Sequence, residues 1–305
     1  MSKVLLLIVG PTGVGKTELS LRMAEHLRCP IISCDSRQMY REIPIGTAAP
    51  TLEEQKRVKH YFIADRSIVE DYNAGQYERD ALALMENLFA MHDILIMTGG
   101  SMLYADAVCK GLDDLPSVST TIRAHVNEQY DRYGLEWLQQ EVQRLDPDYW
   151  TIVDQNNPAR LKHCVELCLA TGSTYSSLRT QQHKERPFRI VKVGLNRPRA
   201  ELYARINERV LQMMENGLLQ EAESVYDKRH LNSLQTVGYR ELFGYLSGEY
   251  DLDRAIELIQ QNSRHYAKRQ LTWFRRDRDI HWLDATNDYE ANIHSIDGLL
   301  GNDCL

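Results

Sequence analysis

Gly10-Pro11-Thr12-Gly13-Val14-Gly15-Lys16-Thr17 follows the spacing G-x-x-x-x-G-K-[ST], and each residue type in it has a use in holding a polyphosphate. Glycines let successive backbone N–H groups turn inward on an anion at a helix N-terminus, Lys16 adds a full charge, and the Thr17 hydroxyl can reach a Mg²⁺ ion. The pattern does not say which polyphosphate. Nucleotide hydrolases and kinases built this way also need a strand ending in a Mg²⁺-holding Asp. Here the third apolar run ends as Ile96-Met97-Thr98-Gly99-Gly100-Ser101, with no carboxylate at its tip, and Asp93 precedes it. A second segment, Ser33-Cys34-Asp35-Ser36-Arg37-Gln38-Met39-Tyr40, offers Asp35, which reads equally as a general base and as a helix N-cap. Ser101 reads either as a hydroxyl brought close to a ligand by the two glycines before it or as a cap for a helix beginning at Met102.

These residues need a scaffold that presents strand ends. Val4 to Val9, Ile31 to Ser33 and Ile94 to Met97 are short apolar runs closed by glycine or polar residues, the pattern of buried parallel strands with functional loops at their carboxyl ends. Between the first two, Leu19, Met23 and Leu27 recur at four-residue steps and predict a helix from about Lys16 to Leu27. Phe188 to Leu195 reads as a further strand. From Pro116 to His183 the composition shifts to long polar helices, marked by Glu136 to Leu145 and by Arg160 to Ala170, the latter stopped by Gly172. From Arg199 onward helices dominate. The expected fold is α/β: a P-loop NTPase-like core with a parallel sheet flanked by helices, from residues 1–115 and 184–305, plus an all-helical insertion domain at 116–183.

At 305 residues, with 43% hydrophobic and 26% charged residues, the chain reads as folded and soluble, with no run long enough for a membrane span. Six scattered cysteines fit a reducing cytoplasm. Cys164 and Cys168, four apart on an expected helix, could ligate a metal in principle, but a packed apolar face is the favoured reading. A net charge of −7 argues against whole-surface attraction to nucleic acid and leaves a local patch as the only route to it. Such a patch exists on the helix expected from Asp253 to Arg276, on which Ile256, Ile259, Ala267, Gln270 and Phe274 roughly track an inward stripe. Arg264, Lys268 and Arg275 share one outer face, and His265, Arg269, Thr272 and Arg276 share the neighbouring one. By charge alone this is either an RNA contact or an ordinary solvated face.

Several blocks taken together carry a resemblance. The phosphate loop, Asp35 to Tyr40, Ile45-Gly46-Thr47-Ala48 and Thr98 to Tyr104 are followed by Asn157-Pro158-Ala159-Arg160-Leu161, Leu202 to Ile206, Gly217-Leu218-Leu219, Gln235 to Tyr239 and Ala267 to Arg275. In order and spacing the chain resembles the tRNA dimethylallyltransferases, over nearly its whole length. The resemblance implies transfer of a dimethylallyl group from dimethylallyl diphosphate to the exocyclic N6 amine of the adenosine 3′-adjacent to the anticodon. It implies that Gly10 to Thr17 hold the diphosphate with Mg²⁺ at Thr17 and Arg205 as a clamp. Asp35 would then be the base, and Ser101 would hydrogen-bond the oxygen joining carbon to phosphorus. Asp35, Ser36 and Gln38 would read the base, while Arg160, Arg264, Lys268, Arg269 and Arg275 would contact the tRNA anticodon stem-loop. A cytoplasmic monomer is implied as well. Arg205 also has a plain reading, as the i, i+4 partner of Glu201. One departure stands out: the family most often has threonine where this chain has Ser101. Three rivals remain: a P-loop kinase or NTPase, a non-catalytic RNA adaptor, and an enzyme that prenylates free adenylate. The basic helix and the insertion favour tRNA over a mononucleotide.

Overall fold

A computed structural model of the chain describes residues 3–180 and 183–301. It divides into two compact units, one made of the stretches up to Lys110 and from Glu185 onward, the other of Gly111–Lys184.

The larger unit is organised by one six-stranded sheet. Its strands are β1 (Val4–Val9), β2 (Ile31–Ser33), β3 (His60–Tyr61), β4 (Ile94–Gly99), β5 (Arg189–Asn196) and β6 (Ile280–Asp284), in the order β3-β2-β4-β1-β5-β6. Every pairing is parallel. All six residues of β1 are buried, as a central strand covered on both faces requires. In this unit α1 (Lys16–Leu27), α2 (Leu52–Arg57), α3 (Ala74–Phe89) and α4 (Met102–Lys110) precede the smaller unit. The smaller unit holds α5 (Thr120–Leu145), α6 (Pro147–Trp150), α7 (Pro158–Thr171) and α8 (Tyr175–Leu178). The larger unit resumes with α9 (Arg199–Glu215), α10 (Leu218–Ser224), α11 (Tyr239–Leu246), α12 (Leu252–Phe274) and α13 (Tyr289–Leu300).

The expected strands are present, with the third running two residues further, to Gly99. Two strands lay outside the sequence reading. β3 is only two residues long, too short to carry a periodicity. β6 follows the charged stretch Arg275 to Asp279 and carries His281 and Asp284, so its five residues do not read as an apolar run. Its place beside β5 depends on Gly194, where an added Cβ would lie 2.7 Å from Ile280 Cγ2 and 2.8 Å from Trp282 Cε3.

The smaller unit has its own apolar centre, in which Val126, Leu138, Val142, Leu161 and Val165 meet Cys164 and Cys168. Asp146 lies close enough to both thiols to complete a set of metal ligands. Its carboxylate is already engaged as a cap, accepting from Tyr149 N at 2.9 Å, Ser176 N at 2.6 Å and Ser176 Oγ at 2.9 Å. The two thiols therefore read as core residues. Asn157 caps α7, Pro158 opens it and Gly172 closes it in the left-handed conformation.

Candidate active site

Strand register brings the chemistry together. Val9 pairs with Gly99 and Ser33 with Thr98, so the segments leaving β1, β2 and β4 emerge side by side at one edge of the sheet. The segments leaving β2 and β4 touch. A Cβ on Gly99 would lie 2.7 Å from Cys34 Sγ and 2.8 Å from the Cys34 carbonyl carbon, so only glycine allows this approach. Around these ends lies a cavity of about 940 Å³, lined by the phosphate loop, Asp35 to Gln38, Gly99 to Ser101 and residues of α9 and α12.

The phosphate loop turns into α1 through Gly15, at φ +113°. Lys16 folds back over it, its Nζ donating to the carbonyls of Gly10 and Pro11 at 2.9 Å each. Burial pulls the Lys16 ammonium down to about 8; the positive Arg209 pushes the same way and Asp35 opposes it. Thr17 is exposed on the first turn of α1, lines the cavity, and makes no side-chain hydrogen bond among the described residues. One neutral hydroxyl fits a Mg²⁺ ion whose other ligands are phosphate oxygens and water, the usual way this ion binds beside a polyphosphate. Arg205 is also exposed, and its Nε donates to Gly13 O at 3.0 Å. Glu201 is paired instead with Arg197, at 3.1 Å, so the i, i+4 reading of Arg205 fails.

No helix follows Asp35 among the described residues, so in place of an N-cap its carboxylate closes a turn, and its two oxygens are used differently. Oδ1 accepts from the amides of Arg37 at 2.9 Å and Gln38 at 3.4 Å, closing a turn, while Oδ2 accepts no hydrogen bond among the described residues. One oxygen is thus locked and the other is available. Ser101 is buried, and its Oγ accepts from Ser36 N at 2.8 Å and bonds Ser36 Oγ at 3.0 Å. Its hydroxyl therefore faces the Asp35 segment and does not cap its own helix. Gln38 is spent on the fold. Its Nε2 donates to Ala48 O at 2.9 Å and its Oε1 accepts from Ser33 Oγ at 3.3 Å.

The opposite wall of this segment is pinned by residues that carried no chemical signal in the sequence. The Glu221 carboxylate accepts from the amides of Ile45 and Gly46 at 2.8 Å each and from the Tyr239 hydroxyl. Gly46 is required there, because a Cβ would lie 2.5 Å from the Tyr239 oxygen. Three residues of the cavity were likewise missed. Arg209 stands one turn beyond Arg205 on α9; burial lowers its pKa and the Asp35 charge opposes this, yet a guanidinium stays charged. Tyr266 lines the cavity, and burial pushes its phenol up to about 12. Gln270, 1% exposed, was read only as part of an inward stripe. A polar residue in such a stripe is itself a signal, since a buried amide must find partners.

The basic helix is less uniform than its sequence suggests. Lys268, Arg269 and Arg275 are exposed, with Arg275 just past the last residue of α12. Arg264 is half-buried and donates to Asn207 Oδ1 at 2.6 Å, which ties it to α9. Arg269 also lines the cavity, its guanidinium 5.6 Å from the Tyr266 ring. Arg160 belongs to the smaller unit, where it is exposed in the first turn of α7.

Known proteins resemble this chain in sequence and in fold. The IPP transferase family model matches residues 38–277. The chain is 55% identical to tRNA dimethylallyltransferase 1 of Bacteroides fragilis over 95% of its own length and 96% of that protein. It superposes on the tRNA isopentenylpyrophosphate transferase of Bacillus halodurans with a TM-score of 0.73 and 34% identity, covering 100% of this chain and 97% of that one. A eukaryotic dimethylallyltransferase acting on tRNA gives a TM-score of 0.75 at 25% identity, over 93% of this chain and 74% of that one. With sequence and fold agreeing along nearly its full length, this chain belongs to the IPP transferase family.

Proposed function

We propose that this chain transfers the dimethylallyl group of dimethylallyl diphosphate to N6 of the adenosine 3′-adjacent to the anticodon in tRNA. The observation that carries this reading is a single cavity holding both an anion cradle and a carboxylate with one oxygen locked and one free, at strand ends where β4 offers no metal-holding carboxylate.

The diphosphate lies against the backbone N–H groups of Gly13 to Thr17. Lys16 releases the Gly10 and Pro11 carbonyls to reach it, and Arg205 and Arg209 approach from α9. A Mg²⁺ ion at Thr17 would supply further charge neutralisation to the departing diphosphate. The adenine leaves the loop stack and enters the cavity beside β2, at a cost of a few kcal/mol that a single-stranded loop keeps small. As the bond from N6 to the allylic carbon forms, the carbon–oxygen bond breaks and its electron pair leaves with the diphosphate. The amine proton passes to Asp35 Oδ2. Ser101, held by the Ser36 amide, turns its proton from Ser36 Oγ to hydrogen-bond the bridging oxygen. Ser36 and Gln38 hold the acceptor wall in shape more than they read a base edge, since their polar atoms are already engaged.

Lys268, Arg269 and Arg275 on α12, and Arg160 on the smaller unit, are the proposed contacts to the anticodon stem-loop; they position its phosphates without reading sequence. A monomer is the proposed state. No described helix is long and apolar enough to cross a membrane. The cysteines of the described residues are all buried and free, and the cytoplasm is the proposed setting.

Incubation with labelled dimethylallyl diphosphate and either unmodified tRNA or AMP tests the assignment: label on tRNA alone is expected, and label on AMP would move the protein to adenylate prenylation. Asp35→Asn keeps the acceptor for the Arg37 and Gln38 amides but removes the base. Its turnover should fall by about 10²–10⁴-fold with tRNA affinity retained, as measured by single-turnover kinetics and filter binding. Lys16 must be charged to hold the anion, and its lowered value means that this charge is present below about pH 8 and lost above it. The ratio of wild-type to Lys16→Met affinity for inorganic pyrophosphate should therefore shrink as pH rises from 7 to 9.5, by up to about tenfold per pH unit; calorimetry that finds a constant ratio removes Lys16 as the charge in question. Lys268→Ala combined with Arg275→Ala should weaken tRNA binding and reduce the slope of log affinity against log salt by about one to two, whereas an unchanged slope would place the RNA on another face.

A further inference from the structure

We propose that Gln270 is a positioning residue for the transfer reaction, a clasp that sets the gap between the diphosphate cradle and the Ser101 side of the cavity. The β1–β4 ladder stops at Val9 and Gly99, and past that rung the two chain segments separate. Gln270 spans the space between them. Its Oε1 accepts from Thr12 N at 2.8 Å and its Nε2 donates to Gly100 O at 2.8 Å, so the side-chain amide takes the place of a further peptide rung. The amide orientation is fixed by its partners, because a backbone N–H can only donate and a backbone carbonyl can only accept.

Gly100 supports this independently: a Cβ there would lie 2.4 Å from Gln270 Nε2, so the backbone is shaped to receive the amide. Thr12 belongs to the phosphate loop, and Gly100 adjoins Ser101, whose hydroxyl in turn holds the amide of Ser36. One side chain thus connects the donor cradle to the hydroxyl and, through it, to the turn that carries Asp35. The same continuous helix, α12, exposes Lys268 and carries Arg269 at the cavity wall. The RNA-facing charges and the cradle share one rigid frame, and the side chain that joins them is Gln270. A glutamine that merely filled core volume would be replaceable by methionine at a cost in stability alone.

The proposal rests on the transferase reading above, and two variants test it. Gln270→Met preserves length and apolar bulk but makes neither bond. Its kcat should fall about 10–100-fold, the scale of a small misplacement of reacting groups, with KM for tRNA within about twofold of wild type. Gln270→Glu keeps the acceptor for Thr12 N but lacks the donor to Gly100 O while ionised. Protonation restores that donor, so the ratio of its rate to that of wild type should rise as pH is lowered, while the ratio for Gln270→Met stays flat. Lys16, Arg209 and Arg269 in the same cavity favour the ionised form of the introduced carboxyl, and burial and Asp35 favour the protonated one; together they place the pH at which the ratio turns. A methionine variant with kcat within twofold of wild type, or a glutamate variant whose ratio does not change with pH, overturns the proposal. Should the methionine variant fail to fold, the glutamate ratio decides. If wild-type protein transfers no prenyl group to tRNA, the transferase reading fails, and affinity for inorganic pyrophosphate then judges the clasp: about a fivefold loss in Gln270→Met is expected, the size of one ordinary hydrogen bond, and no loss refutes it.

Discussion

Positive charge held away from water is the constraint around which this molecule is built. Lys16 and Arg209 are both buried enough for their pKa values to be pulled down, they repel each other, and Asp35 opposes the shift of each. Removing cations from water is costly unless something anionic offsets it. Among the described residues Lys16 donates to just two loop carbonyls, so these cations lack a full counter-charge, which the proposed diphosphate would supply. This local field coexists with a net charge of −7, because most acidic side chains lie outside the cavity, which takes in Glu18, Asp35, Glu54 and Glu208.

The remaining polar groups of the site divide between holding the frame and facing the reactants. Gln38 and Glu221 are spent on the backbone of the Ile45 to Ala48 turn, Tyr239 holds Glu221, and Oδ1 of Asp35 closes its own turn. Oδ2 of Asp35 and the Thr17 hydroxyl keep their capacity for ligands. A fixed donor set of this kind lowers the reorganisation needed when charge moves from the allylic carbon to the diphosphate. It also gives Ser101 a defined direction. Since its hydroxyl is oriented by Ser36, the methyl of the more usual threonine is not needed to aim it.

Much of this was legible in the sequence, for local reasons. The phosphate loop, β1, α1 and the ends of α7 are specified by short-range rules: glycines where the backbone turns, a four-residue apolar step, a capping Asn and a closing Gly. The identities of Asp35 and Ser101 followed from their places after strands. What could not be read was the use of each atom. The path of residues 36–38 engages Oδ1 of Asp35 in a turn and leaves Oδ2 without a hydrogen bond among the described residues.

Arg205, Arg264 and Gln270 show where tertiary structure alone decides. As sequence, Arg205 had Glu201 four residues away, but Arg197 took that carboxylate and freed Arg205 for Gly13. Arg264 shares a helical face with Lys268 and Arg275, yet α9 supplies Asn207 and ties it down. Gln270 looked like one more inward residue, and only the packing of α12 over two strand ends 170 and 258 residues away in the chain made it a bridge. Local sequence therefore determined which groups exist and which backbone shapes they adopt, because those depend on neighbours a few residues away. The long-range fold decided which hydrogen bonds they spend, because a partner's distance in space has no counterpart in its distance along the chain.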